Sequence, residues 1–399
     1  MEKDTLNRLT DDWKDLKEII VYGFGRVAQR NIGKLKADFD IKYIIDNDPA
    51  LGIHSYDGIP VQKFEDIKEE LKQSYKENTG ENGYKYKVIV PTSTLAYASI
   101  SKELNALGMI EYRDYCRLEE FLPEWYWKYK NQVCVSQIFS TVTTRCTFNC
   151  KYCSVLIPYY KKHYEYSAKE ILADFDLLFK KVDYLTSYYV IGGEPLCNKE
   201  LANILETIYD KYKNRIGYMQ IITNGSIVPG KELIRVIKKC NINVRVSDYT
   251  HAVPYQKKME EVIACLKENH LDYAVSTYKT WVDLGFPRVR ELSGNTAEEV
   301  RCHMLNCAKG CHSMNDKKLY FCGLLFASEK LGLYQLKEHD YIDLAKNSDN
   351  PKEDKERILR YFLGDVENDH ISLCRICRGQ GNDNKYVIPV AEQEYPNIG

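Results

Sequence analysis

Hydrophobic positions along the chain alternate between two rhythms. Short apolar runs such as EIIVY, KYII and YKVIV read as buried strands. Between them lie stretches with apolar residues three and four apart, such as RVAQRNIGKL and ISKELNALGM, which read as helices. This βαβ alternation predicts a parallel sheet. It runs to the aromatic segment FLPEWYWKY, residues 121–129, where Pro123 is expected to break the chain. A second series follows. VCVSQIFSTVTT, DYLTSYYVIGGEP, GYMQIITNG, INVRVSDY and LDYAVSTYK are strand-like, each ending in polar residues. Helical stretches separate them, and SAKEILADFDLLFKK opens on a capping box, Ser167 with Glu170. Repeated βα units predict a full or partial barrel, with function at the C-terminal strand ends. Past about residue 300 the rhythm changes. CHSMNDKKLYFC reads as a hairpin turning at Asn315–Asp316, followed by helix-like stretches and a loose polar tail. The chain thus divides into segments 1–125, 126–300 and 301–399, and its 399 residues suit two or three domains.

Composition narrows the class. With 56 Lys and Arg against 57 Asp and Glu, the net charge is −1, which gives no general pull toward nucleic acid or an anionic membrane. No apolar run approaches the roughly 18 residues of a bilayer span. The first residues, MEKDTLNRLTDDWKDLKEII, are charged throughout and do not read as a signal peptide, so a cytoplasmic protein with reduced thiols is expected. The many Tyr and Phe read as core and pocket lining more readily than as an RNA-stacking platform. The eight His show no metal-ligand spacing.

In a reducing compartment, 14 cysteines point to metal ligands or buried thiols rather than disulfides. Cys146, Cys150 and Cys153 form a C-x3-C-x2-C array, with no fourth Cys or His beside it. Three converging thiolates on a four-iron cube leave one iron open, whereas zinc asks for a fourth protein ligand. Farther on, Cys311 and Cys322 face each other across the expected hairpin, and Cys374 and Cys377 form a CxxC. Four such thiolates can close a second centre, of zinc or of iron and sulfur. At the start of the chain, GFGRVA follows a strand and opens a helix. Gly23, Gly25 and, at the end of the next strand, Asp46 have the arrangement that holds a dinucleotide phosphate and a ribose hydroxyl.

The C-x3-C-x2-C array, with aromatic Tyr152 before its last cysteine, resembles the radical S-adenosylmethionine (SAM) superfamily. IGGEP (Gly192, Gly193 and Glu194) resembles the family's motif for the methionyl amino group of SAM, an ammonium that wants a fixed acceptor. The resemblance places Thr223, Asn224 and Ser247, at the next two strand ends, near the ribose and carboxylate of SAM. The 311–377 cysteines are similar to the auxiliary-cluster regions called twitch or SPASM domains. The family usually has Gly where Lys317 stands, and Cys302 and Cys307 fit its spacings as well as Cys311 does. Residues 17–120 resemble the small Rossmann-like domains fused to bacterial sugar-modifying and polysaccharide-assembly proteins, which implies either a nucleotide-sugar site or a purely structural or docking module.

The resemblance implies an α/β protein of three parts. These are an N-terminal Rossmann-like domain, a partial (β/α) barrel radical SAM core and a C-terminal auxiliary iron–sulfur cluster domain. It implies a [4Fe–4S] cluster, SAM and a second [4Fe–4S] cluster. It also implies an external electron donor such as flavodoxin or ferredoxin. Reductive cleavage of SAM would give a 5′-deoxyadenosyl radical that takes hydrogen from a sugar, aminocyclitol or nucleotide-sugar substrate, with oxidation or epimerisation. The alternatives are a peptide-maturing radical enzyme and a zinc-stabilised binding protein without catalysis.

Overall fold

The computed structural model describes residues 6–48, 52–76, 85–92, 94–289, 294–307 and 311–394. By internal contacts the chain forms two units, Met1–Ser136 and Gln137–Gly399.

The first unit is a six-stranded sheet with flanking helices. Strands β1 (Glu18–Tyr22), β2 (Asp40–Ile45), β3 (Ser55–Tyr56), β4 (Ile59–Gln62), β5 (Lys87–Val90) and β6 (Tyr115–Arg117) lie in the order β3-β4-β2-β1-β5-β6. All neighbouring pairs are parallel except β3 with β4. Ile19, Ile20 and Val21 of β1 are fully buried, as a central parallel strand requires. Helix α1 (Arg26–Lys36) follows β1 and buries Ala28, Ile32 and Leu35 on one stripe. Pro123 does not end the unit. It lies inside α2 (Leu118–Lys130), where it forgoes one backbone hydrogen bond. The buried face made by Phe121, Leu122, Trp125 and Tyr126 outweighs that loss. Trp13 and Trp125 lie 5.3 and 5.9 Å from the Phe121 ring, and Phe39 lies 4.6 Å from Trp125. The helix stops at Asn131, which adopts a left-handed conformation.

The second unit is built on parallel strands β7 (Cys134–Thr141), β8 (Tyr184–Ile191), β9 (Ile216–Thr223), β10 (Asn243–Asp248) and β11 (Tyr273–Thr277), in spatial order β11-β10-β9-β8-β7. Helices α3 (Ala168–Leu178), α4 (Leu201–Tyr212), α5 (Lys231–Lys239) and α6 (Gln256–Glu268) connect them, which makes a partial (β/α) barrel. The capping box forms at α3. Ser167 Oγ accepts from the Glu170 amide at 3.3 Å, and Glu170 accepts from the Ser167 amide at 2.8 Å.

The later cysteines are carried on this same framework. Strands β12 (His312–Asn315), β13 (Lys318–Tyr320) and β14 (Tyr341–Asp343) extend the barrel sheet beyond β7, with β12 parallel to β7. The hairpin turns one residue later than expected. Asn315 pairs with Lys318, and both Asp316 and Lys317 have positive φ, the geometry that a tight two-residue turn requires. The stretch expected as a loose tail is ordered as far as residue 394. β15 (Val387–Pro389) pairs antiparallel with residues 280–282, and residues 392–394 are hydrogen-bonded to the first cysteine loop. Its polar character suits a ribbon with one solvated side, a pattern without distinctive periodicity. Among the described residues no helix is long and apolar enough to cross a membrane.

Candidate functional site

The C-terminal ends of the barrel strands open into a cleft of about 350 Å³, a size suited to a small ligand. Its walls include Cys146, Cys150, Tyr152 and Cys153 from the loop after β7, and Gly192 and Gly193 after β8. Thr223 and Asn224 come from the end of β9, and Ser247 from β10. The residues expected for the first cluster and for SAM are therefore gathered in one place, Glu194 excepted.

Gly192 and Gly193 are required by close approach of backbone to backbone. A Cβ on Gly193 would sit 2.4 Å from the carbonyl oxygen of Arg145, and one on Gly192 would sit 2.7 Å from that of Thr143. Without side chains, the Gly193 and Glu194 amides reach those two carbonyls, Thr143 and Arg145 respectively, each at 2.8 Å. The end of β8 is thereby pinned to the cysteine loop.

Glu194 is buried behind the cleft wall and already has protein partners. Its Oε1 accepts from Thr223 Oγ1 at 2.8 Å and from the Leu196 amide at 3.1 Å. Its Oε2 accepts from the Asn224 amide at 2.7 Å. Burial pushes its carboxyl up to about 7 against those three donors. Glu194 thus ties the ends of β8 and β9 together, and the glycine backbone forms the surface that faces the cleft. Asn224 continues the tie, donating from Nδ2 to Thr147 Oγ1 at 3.0 Å.

Tyr255, missed in the sequence, joins the next strand. Its hydroxyl donates to the Asn224 carbonyl at 2.9 Å and accepts from the Tyr249 amide at 3.0 Å. Trp281, also missed, lies edge-on to Tyr249, with ring centroids 5.5 Å apart, and lines the cleft. Neither has a local motif, since each acts on residues brought near by the fold.

The three thiols of the loop lie together on the cleft wall. Burial pushes Cys146 up to about 12 and Cys150 up to about 11, and it raises Cys153 as well. The thiols also raise one another by mutual repulsion. Buried in this way the groups favour the neutral thiol, and ionising them would need a positive centre beside them.

A family model described as the Radical SAM superfamily matches residues 140–290. Those residues form a radical SAM domain. The superfamily carries a [4Fe–4S] cluster and SAM, and the thiol array and glycine-walled cleft fit both. The GTP 3′,8-cyclase of Campylobacter jejuni subsp. doylei is 32% identical over 138 residues, which cover 32% of this chain and 41% of the cyclase. The radical SAM cyclopropyl synthase TigE of Paramaledivibacter caminithermalis is 30% identical over 131 residues, covering 28% of this chain and 27% of the synthase. The chain spans less than half the length of these curated relatives. A solved structure titled native anSMEcpe with bound AdoMet superposes with a TM-score of 0.39 and 14% identity, covering 62% of this chain and 89% of that one.

The later thiols lie beside this radical SAM domain. Cys307 ends helix α7 (Ala297–Cys307), and its sulfur accepts from the Gln380 amide at 3.0 Å. A Cβ on Gly379, whose φ is +70°, would sit 3.1 Å from that sulfur, so the CxxC loop wraps Cys307 closely. Cys322 is raised by burial and by the charges of Cys307 and Cys377. Cys374 is raised by burial and by Cys322, Cys377 and Cys307. Cys311, pushed up to about 11 by burial, has Cys307 and the Arg245 cation as its charge neighbours. Cys302 lies on another side of α7 and donates weakly to Glu298 at 3.8 Å. His303 supports the CxxC loop. Its Nδ1 lies 2.5 Å from Asp383 Oδ2, and its Nε2 lies 3.1 Å from the Cys377 carbonyl.

In the first unit, local contacts account for Gly23 and Asp46 of the glycine loop. Gly23 has φ +100°, and a Cβ there would strike Thr92. Asp46 accepts from the Phe24 amide at 2.7 Å and from the Asp48 amide at 2.8 Å, so its two oxygens hold the loop in shape. Gly25, at the N-terminus of α1, faces open space.

Proposed function

We propose that the chain is a radical SAM oxidoreductase that oxidises a small polar substrate of the sugar, aminocyclitol or nucleotide-sugar class. The observation that carries this reading is that Gln380 both lines the SAM cleft and donates to Cys307 of the second thiol set. In this reading Cys146, Cys150 and Cys153 hold a cluster with one open iron, and Tyr152, Gly192, Gly193, Thr223, Asn224 and Ser247 surround SAM. When bound, SAM and its cluster supply the oxidising radical chemistry that attacks an unactivated C–H bond. The protein's part is to position the carbon, exclude water and provide an adjacent acceptor site. Cys307, Cys322, Cys374 and Cys377 would make up that site, with Cys307 rather than Cys311 as the fourth thiol. Flavodoxin or ferredoxin would serve as electron donor.

The substrate class draws support from the barrel interior. Arg245 lies two residues before Ser247, hence on the same face of β10, and its Nε is buried without a hydrogen-bond partner. A guanidinium so placed suits a phosphate or carboxylate. The relatives named as GTP 3′,8-cyclases keep a nucleotide-like substrate in view.

Iron analysis and SAM cleavage on anaerobically reconstituted protein test the reading. Changing Cys146, Cys150 and Cys153 together to Ala should remove about four irons and all cleavage. Changing Cys307 to Ser should deplete the other iron while cleavage persists. In deuterated water the oxidised product should carry no new deuterium at the reacting carbon. Deuterium there would replace oxidation by epimerisation, and a colourless zinc-only protein would remove the redox role altogether.

A further inference from the structure

The loop that carries Cys146, Cys150 and Cys153 is held by the far end of the chain. Residues 392–394 run alongside residues 149–151. The Lys151 amide donates to the Glu392 carbonyl at 2.8 Å, and the Glu394 amide donates to the Asn149 carbonyl at 2.6 Å. Asn149 Nδ2 returns a bond to the Glu394 carbonyl at 2.7 Å, and Lys151 pairs with Glu392 at 3.3 Å. Just before this ribbon, Val390 and Ala391 pack in one apolar cluster with Phe148 and Cys150.

Gln393 sits at the centre of the ribbon. Its Oε1 accepts from the Asn149 amide at 2.8 Å. That bond fixes the orientation of the side-chain amide, because the reversed amide would set two donors against each other. Nε2 is then left to donate twice, to the Ala391 carbonyl at 2.7 Å and to Cys150 Sγ at 3.3 Å. A half-buried amide is thus aimed at one of the three thiols.

We propose that Gln393 is a positioning residue of the radical SAM site that raises the reduction potential of its cluster. The proposal rests on the assignment of Cys146, Cys150 and Cys153 to that cluster. An N–H donor draws negative charge from a ligating thiolate. The reduced cluster carries one more negative charge than the oxidised one and gains more from the donor, so the potential moves up. The packed ribbon also keeps water from Cys150, and solvent exposure is a second influence on the potential. The C-terminal segment therefore belongs to the site, although it lies outside the matched radical SAM region.

The test is a redox titration of the reconstituted full-length chain, followed by electron paramagnetic resonance. The relevant signal is the one that changes when SAM is added. Gln393→Leu and Gln393→Glu are compared with the native chain, with iron counted for each. The leucine removes the donor, and the glutamate replaces it with a negative charge of the same shape. The expected result is full iron in both variants, a lower midpoint for Gln393→Leu and a lower one still for Gln393→Glu. Unchanged midpoints with iron retained would overturn the proposal. So would loss of iron in both variants, which would make Gln393 a structural tie alone. The Cys146, Cys150 and Cys153 triple variant separates the two levels of the argument. If the SAM-sensitive signal survives there, the cluster assignment itself is wrong, and the role of Gln393 falls with it.

Discussion

Gly193 shows how one missing side chain shapes the site. A methyl group there would lie 2.4 Å from the Arg145 carbonyl oxygen and 2.9 Å from the Cys146 Cβ. Neither neighbour can yield without moving the cysteine loop. Gly193→Ala should therefore cost about 1–3 kcal/mol, the scale of overpacking, and abolish SAM binding. Denaturant unfolding with calorimetric SAM titration checks both; full binding by the variant would refute the packing argument. At this scale the sequence was most legible where the candidate residues are neighbours along the chain. The Cys146–Cys153 array and the double glycine announce themselves by spacing. Glu194 was visible as a carboxylate, but the three donors that occupy it come from tertiary structure. Tyr255, His303 and Gln393 carried no signal, because each acts on residues distant in sequence.

The hairpin of β12 and β13 is the element where local chemistry and the fold disagree. Lys317 occupies a left-handed conformation with φ 62°, which costs a side-chain-bearing residue roughly 1–2 kcal/mol and glycine almost nothing. Lys317→Gly should stabilise the second unit by about 1 kcal/mol, seen as a higher urea midpoint. A lower midpoint would show that the lysine side chain matters more than the backbone. The same turn holds a pH-sensitive group. Asp174 of α3 accepts from the Lys317 amide at 2.7 Å. Burial, helped by nearby Asp316, pushes its carboxyl up to about 7. A raised acid binds its proton more tightly in the folded chain. Its contribution is complete below the ordinary value of 3.8 and is lost as pH rises through about 7. Asp174→Asn keeps an acceptor and removes the buried charge. The variant should gain stability relative to the native chain between pH 5 and pH 8, by no more than about 4 kcal/mol. A pH-independent difference between the two would refute this. The hairpin itself was legible from alternation, but its register slipped by one residue, because Asn–Asp and Asp–Lys are both acceptable turn pairs without the closing pair Asn315–Lys318.

For the molecule as a whole, the alternation of strands and helices was enough to read two α/β arrangements and a cysteine-rich end. It was not enough to place the boundary. Pro123 looked like a breaker, yet α2 continues through it to Lys130 because an aromatic face holds it down. Trp125 donates from Nε1 to the Trp13 carbonyl at 2.8 Å, and the Tyr126 hydroxyl donates to Asp38 at 2.7 Å. Tyr126 and Val133 are both fully buried. A fragment ending at residue 125 keeps the sheet but loses the second half of that helix and the ring of Tyr126. A fragment ending at residue 133 keeps both. Removal of a buried large aromatic costs about 3–5 kcal/mol, which is much of the stability of a unit this size. The 1–133 fragment should therefore unfold cooperatively in urea, while the 1–125 fragment should be largely unfolded in buffer by circular dichroism and amide exchange. Equal midpoints for the two would show that α2 adds nothing to the core. An unfolded 1–133 fragment would show that the first unit needs the rest of the chain, however complete its own sheet and aromatic core.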